Sequence, residues 1–459
     1  MQRHRTILRA SSQRTHEQGV IITLVAVFML FVVGAMAALA IDVVTIYTAR
    51  SEAQLAADGA ALAGARVLAN SGMTSNTTDV GLASSAEGLA SAIAIQVATN
   101  NAVGGSNLLS SEVTVSFPNA GAGVGTDPEI KVTILRSTLP TFFARVWGRT
   151  QFTAGASATA EAYNPSGMNA LGETTIPVAP ICVKPWLLPN LDPTSTTGGK
   201  IFDPVTGAIV ANPTLLGWVT PAAFGSIRLR TKCSTTNVIP GTADCLPASA
   251  NTPVAWQYYP ADPADFPPPN ASSVGCSTCA GFTNPSYQLA IAGCVQTPIS
   301  CTSTGPPAQI VNVEVTSDGT RDAETGVAVN GLTNSNGGLG DKVDTAAPPS
   351  PPFQFVAGDD NPIVLSGAMA GGTDIMVSDS LVTVPVINAD NVNWPPPAYP
   401  QVQIIGFVQL FLNPTGAAAL GTGHIHTEVI NMTGCGSGAS GTAILGNGVS
   451  PVAVRLISP

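Results

Sequence analysis

The chain has 459 residues, of which 10% are charged, against roughly 25% in ordinary soluble domains. Its net charge of −10, with no Lys/Arg-rich stripe beyond the N-terminus, argues against nucleic acid, whose phosphates require a basic face. The length admits two or three domains, and 46 Gly and 37 Pro amid much Thr, Ser and Asn point to loop-rich β structure over helical bundles.

Residues 1–19 form a basic tail in which Arg3, Arg5, Arg9 and Arg14 precede Glu17; the first lysine is Lys131. From Val20 to Ile41 no residue is charged. As a helix this stretch extends about 33 Å, enough to cross a bilayer's hydrocarbon core. Arginines on its near side predict a cytoplasmic N-terminus and an exported bulk, so residues 20–41 read as one transmembrane helix. The triplets Ala35–Ala37 and Ala38–Ala40 offer a second reading, release by signal peptidase after Ala40. Against it, the apolar run exceeds a usual signal core and helical sequence continues past it.

That continuation is built from small residues. Ala53, Ala56, Ala60, Ala63 and Val67 follow a 3, 4, 3, 4 spacing, and Ala57 and Gly64 fill the same side. Arg50, Gln54, Asp58 and Arg66 fall opposite, with Leu55 and Leu62. A face with nothing larger than Val lets another backbone approach closely. The partner is either the chain's own sheet or a helix of another protein; in both cases the segment is a packing surface and not a catalytic one.

Gly19 before the apolar span, Asp42 at its outer end, and then Tyr47, Arg50, Gln54, Ala56, Ala57, Asp58, Ala60, Ala61, Leu62, Ala63, Gly64 and Ala65 resemble the N-terminal segment of TadG-like Flp (tight-adherence) pilus-assembly proteins. The resemblance implies a bitopic component of the bacterial inner membrane, with its bulk in the periplasm and other pilus or secretion-assembly proteins as partners. Three departures bear on what it carries. Gly59 stands where the family pattern has Ala. Leu24 stands five residues after Gly19, where pilins of such systems have Glu, so prepilin-peptidase processing is not expected. Some TadG proteins carry a von Willebrand A domain with a D-x-S-x-S metal site, which this chain lacks; "DPTST" at Asp192 comes nearest, in Pro-rich surroundings unsuited to a strand end.

Residues 79–103 read as a second small-residue helix, and 112–117 and 129–137 alternate as strands. The stretch from Leu139 then predicts a short aromatic helical turn and another strand, with Phe152, Ala154, Ala156, Ala158 and Ala160 on one face. A helix leaving a membrane onto such a sheet is a pilin-like arrangement, assigned here to residues 42–165. Residues 166–343 are Pro-, Thr- and Cys-rich, with irregular β structure. Residues 344–353 read as a linker, opening a C-terminal β region, 344–459, whose buried strands are 381–387, 402–412 and 452–457. The fold class is α+β.

All eight cysteines (Cys182, Cys233, Cys245, Cys276, Cys279, Cys294, Cys301 and Cys435) lie beyond the apolar run, and an even count in an oxidising compartment predicts disulfides. Cys276, Cys279, Cys294 and Cys301 also invite a zinc-ribbon reading, but the second pair is too widely spaced. A redox role for Cys276 and Cys279 lacks a βαβ setting. His424 and His426 share one face of a possible strand without an evident third metal ligand. Asp318, Asp322 and Glu324 are oxygen donors in a Gly-bounded loop without EF-hand spacing. "GSGASG" at Gly436 matches a dinucleotide fingerprint, but Gly446, Gly448 and Pro451 follow where a helix is required. The expectation is therefore a non-enzymatic protein with no catalytic, cofactor or metal site. The alternative is a secreted, disulfide-stabilised adhesin or carbohydrate-binding surface protein.

Overall fold

A single helix, α1 (Thr15–Asn70), runs through the apolar span and the small-residue segment without a break. Its 56 residues contain no proline and extend about 84 Å. In this computed structural model the described residues are 15–76, 78–119, 127–166, 176–195, 198–217, 227–229, 257–271, 274, 281–299, 310–314, 320–333, 340–343, 351–388, 401–413, 424–435, 444–445 and 449–458. From Val20 to Val44 the large apolar side chains of α1 stand exposed, whereas from Ala49 onward one broad side of the helix is buried. The helix stops at Asn70, and Gly72 turns the chain with φ +83°, a left-handed conformation that only glycine adopts freely. A Cβ there would also crowd Ile430 O at 3.1 Å. Helix α2 (Val80–Thr99) then begins on Asp79, whose side chain accepts from Leu82 N–H at 3.0 Å. Its buried residues, Leu82, Ala86, Ala90, Ala94 and Ala98, recur every four positions and face α1.

Twelve strands make the two larger sheets among the described residues. They are β1 (Val113–Ser116), β2 (Glu129–Pro140), β3 (Gln151–Tyr163), β4 (Trp186–Pro189), β5 (Ile227–Leu229), β6 (Gln257–Pro260), β7 (Ile310–Asn312), β8 (Leu381–Ile387), β9 (Gln401–Leu412), β10 (His424–Ile425), β11 (Thr427–Gly434) and β12 (Ala453–Ser458). The first sheet is antiparallel throughout, ordered β12-β3-β2-β1. One face receives α1 and α2, giving a core of alanines from both helices with Ile130, Val132, Ile134, Ala154, Ala158, Ala160 and Ala162.

The place of β12 corrects the expectation that 452–457 belongs with 381–387 and 402–412. It pairs with β3, Ala453 opposite Tyr163 and Leu456 opposite Ala160. The physical reason is a cross-strand match: Arg455 lies opposite Glu161, ion-pairs with it, and rests 5.3 Å over the Tyr163 ring. An apolar run announces a strand but does not name its neighbour.

The second sheet is ordered β7-β9-β8-β4-β6-β5-β10, with β11 also on β9. Apolar clusters cover both of its faces, which is why β8, "LVTVPVI", reads as a continuous hydrophobic run instead of an alternating one. Helices α3 (Pro285–Ala292) and α4 (Thr320–Thr333) pack on one of these faces through Tyr287, Ile291, Ala328 and Val329. In the stretch read as a linker, residues 344–350 lie outside the described residues; Phe353, at its end, is buried against Phe411 and Ile430.

Candidate functional site

The small-residue side of α1 is where the sequence concentrates its pattern. Ala53, Ala56, Ala57, Ala60 and Gly64 are fully or nearly fully buried, Val67 is buried, and Ala63 is half-buried. Ala61, Ala65 and Leu68 are buried too, so the covered side is wider than a single seam. The helix is flanked twice, by α2 and by the β3–β2 surface. Gln54 and Asp58 do not simply face solvent: Gln54 Nε2 donates to Asp58 Oδ1 at 2.8 Å and to Ser157 O on β3 at 3.1 Å. Each buried alanine methyl contributes only about 0.8 kcal/mol, so the value of this side lies in how near it lets other backbones come. Gly64 marks the tightest point. A Cβ there would overlap Ile130 Cδ1 and stand 3.3 Å from Ala90 O, whereas Gly59, exposed, has nothing within 4 Å of its Cβ direction.

Two polar anchors hold the rod at either end of this packed segment. At the end next to the apolar span, Asp42 is buried, and its carboxylate accepts from the backbone N–H groups of Phe142 (2.9 Å), Phe143 (3.0 Å) and Ala144 (2.6 Å). It thereby caps the short helical turn Ala144–Trp147 in the β2–β3 loop. At the far end, Asn431 of β11 donates to Ala69 O and accepts from the Thr74 and Ser75 hydroxyls. Gln409 of β9 donates to Asn70 Oδ1 at 3.2 Å, and Asn164 donates to Thr74 O and Met432 O. The end of α1 is thus tied to β9 and β11 of the second sheet through buried amides. Sequence reasoning missed this hub. Its only trace is Gln409 within the apolar run of β9 and Asn431 between Ile430 and Met432.

The residues singled out for chemistry are dispersed. Cys182 and Cys294 form a disulfide, so Cys294 cannot join a four-thiolate zinc set. Cys435 is also disulfide-bonded, while Cys233, Cys245, Cys276, Cys279 and Cys301 lie outside the described residues, as does Gly436–Gly441. Glu324 is on α4, not in a loop, and its carboxylate is held by Arg321, which also grips Glu314; Asp318 lies outside the described residues. An arginine already neutralises the oxygens a cation would need. His424 is in β10, but regular pairing lapses at His426, so the two do not alternate along one strand. Among the described residues no three His, Cys, Asp or Glu side chains converge as a metal site.

Three buried titratable groups sit elsewhere. Lys184 donates to Ile291 O (2.6 Å) and Gly293 O (2.7 Å), the carbonyls ending α3, and burial pulls its pKa down to about 7. Burial pushes Glu428 of β11 up to about 7, and its Oε1 has no hydrogen-bond partner. Asp127 also rises to about 7, chiefly through burial, although it accepts from Asn164 N–H at 2.9 Å. None of these groups lies with another in a constellation suited to nucleophilic or acid–base catalysis.

What the geometry defines is a class: a chain whose exposed apolar rod continues as the core helix of an α+β body, latched at both ends. Two helices among the described residues, α1 and α2, are long and apolar enough to cross a membrane, and α2 is committed to the core along one side. Residues 19–67, the apolar span and the small-residue segment together, match the family model described as "Putative Flp pilus-assembly TadE/G-like". That match supports involvement in Flp pilus assembly. No curated protein and no solved structure matches the chain.

Proposed function

We propose that this chain is a non-enzymatic envelope protein, anchored once in the bacterial inner membrane by residues 20–41, that supports assembly of a Flp/Tad-type pilus or a related secretion complex. Its basic tail lies in the cytoplasm and its bulk in the periplasm. The observation that carries the reading is the two-part character of the matched segment: apolar and largely exposed up to Ile41, small-faced and buried on one side from Ala49. Export is supported by the bonded Cys182, Cys294 and Cys435, which suit an oxidising compartment. Retention is supported by the continuity of α1 through Ala35–Ala40, with no extended segment for a signal peptidase to grip. The non-enzymatic part rests on the scarcity of histidines and charges in the exported sequence.

The test is complementation. In a strain lacking the chain, the intact protein restores pili. Ala60→Trp, which puts an indole where Ala60 is fully buried, reaches the membrane but does not restore them. Normal piliation without the chain contradicts the reading.

A further inference from the structure

The β2–β3 loop is tied to α1 where the rod leaves its apolar span. Through Phe142, Phe143 and Ala144 N–H, Asp42 fixes the loop's height at the first residue past Ile41. The loop is braced within itself: Thr141 Oγ1 donates to Arg149 O (2.6 Å), Arg149 N–H to Ala144 O (3.1 Å) and Gly148 N–H to Arg145 O (3.0 Å). From this turn Phe142 projects 62% exposed and Phe143 39% exposed, with Arg145 and Arg149 exposed beside them. On α1 the exposed apolar surface continues past the span through Val43, Val44 and Tyr47.

We infer that residues 141–149 lie in the headgroup region on the outer face of the membrane that α1 spans. Phe142 and Phe143 sit among the upper acyl carbons, and Arg145 and Arg149 pair with lipid phosphates. This rests on the membrane-anchored reading above. Aromatic and arginine side chains are the residues that settle at such a boundary. Three observations select lipid as the occupant. Exposed apolar side chains follow the span at Val43 and Val44, and Val44 lines one cleft with Phe142. The loop's height is set by a contact to the residue directly after the span. And two arginines stand together in a chain of net charge −10, where an anionic surface would otherwise repel the protein. Asp42 is then a positioning residue: it holds the loop at the boundary while its own charge is shielded by three N–H donors.

The experiment uses the full chain in vesicles of phosphatidylcholine alone or mixed with phosphatidylglycerol. Fluorophores are placed by Leu30→Cys, Phe142→Cys and Val80→Cys, with labelling of the parent chain subtracted, and nitroxide-bearing lipids serve as quenchers. Leu30 is in the span, and Val80 starts the helix that follows the far end of α1. Quenching at positions 30 and 142 but not 80 is expected. Quenching at 142 should strengthen with phosphatidylglycerol, and that gain should vanish in an Arg145→Gln/Arg149→Gln background. Quenching at 30 with none at 142 overturns this inference and leaves the anchor intact. No quenching at 30 defeats the anchor itself. A label at 142 shielded from both water-borne and lipid-borne quenchers assigns the loop to a protein neighbour and also overturns the inference.

Discussion

Replacing Gly59 with alanine and, separately, Gly64 with alanine makes the same chemical change twice in one helix, with opposite expected signs. A mid-helix glycine costs about 0.8–1.0 kcal/mol relative to alanine, so both variants begin with that gain. At position 59 nothing opposes it, because the added methyl meets no atom within 4 Å. At position 64 the methyl runs into Ile130 Cδ1, part of a fully buried side chain, and stands 3.3 Å from the carbonyl of Ala90, which moves only with α2. Overpacking of a closed core costs about 1–3 kcal/mol, which offsets the helix gain and leaves a net loss of up to about 2 kcal/mol. Thermal unfolding of the full 459-residue chain in detergent micelles should show Gly59→Ala raised by about 1 °C and Gly64→Ala lowered by up to about 2 °C. Equal stabilisation by both would refute the close approach of α1 to α2 and Ile130, and with it the argument that small residues are there for proximity.

Asn431→Ala removes the partner of Ala69 O and of the Thr74 hydroxyl, while Ser75 Oγ and the Met432 backbone keep their bonds to each other. It should cost about 2–4 kcal/mol in denaturant unfolding and speed hydrogen exchange at residues 71–76; a cost under about 1 kcal/mol would contradict the hub. The Cys182–Cys294 bond closes a separation of 112 residues, so the paired substitution Cys182→Ala/Cys294→Ala should lower stability by about 2–5 kcal/mol, and oxidised and reduced chains with one shared midpoint would speak against it. Burial raises Glu428 and Asp127 to about 7 in the folded chain. Between the ordinary carboxylate range and pH 7 the folded state keeps protons that the unfolded state releases, so their contribution falls as pH rises across that window. Lys184, lowered from 10.5 to about 7, acts the other way above pH 7, where the unfolded chain binds the extra proton and stability recovers. A stability minimum near pH 7 follows from these groups, and Glu428→Gln should make it shallower, by on the order of 1–2 kcal/mol at pH 8. An unchanged pH profile in that variant would show that Glu428 does not titrate abnormally.

Much of the regular structure was legible because its signals are local. The 3, 4, 3, 4 spacing from Ala53 to Val67 is a local signal of a small-residue helix face, and Leu381–Ile387 was recognisable as a strand from its unbroken apolar run. The second helix begins one residue later than read because Asp79 is its cap, and it ends at Thr99, before the short hairpin pairing of Ala102–Val103 with Ser106–Asn107. What escaped depends on pairing across long separations. Nothing in "VAVRLI" announces Glu161 as the partner of Arg455, and nothing near Cys182 points to Cys294. Helix α3 escaped because it has only 8 residues and lies in a Pro-rich stretch, and α4 because its apolar positions are few and interrupted by Gly326 and Gly331. Asp42 stood out as the polar residue ending the span, but its three N–H donors lie a hundred residues away.

On the proposal above, one uninterrupted helix both anchors the chain and forms the core of the body beyond the membrane. Intact-mass measurement on protein recovered from carbonate-washed membranes checks this without relying on any variant. The full 46.4 kDa chain is expected in the membrane pellet. A soluble species beginning at Ile41 would rule the arrangement out.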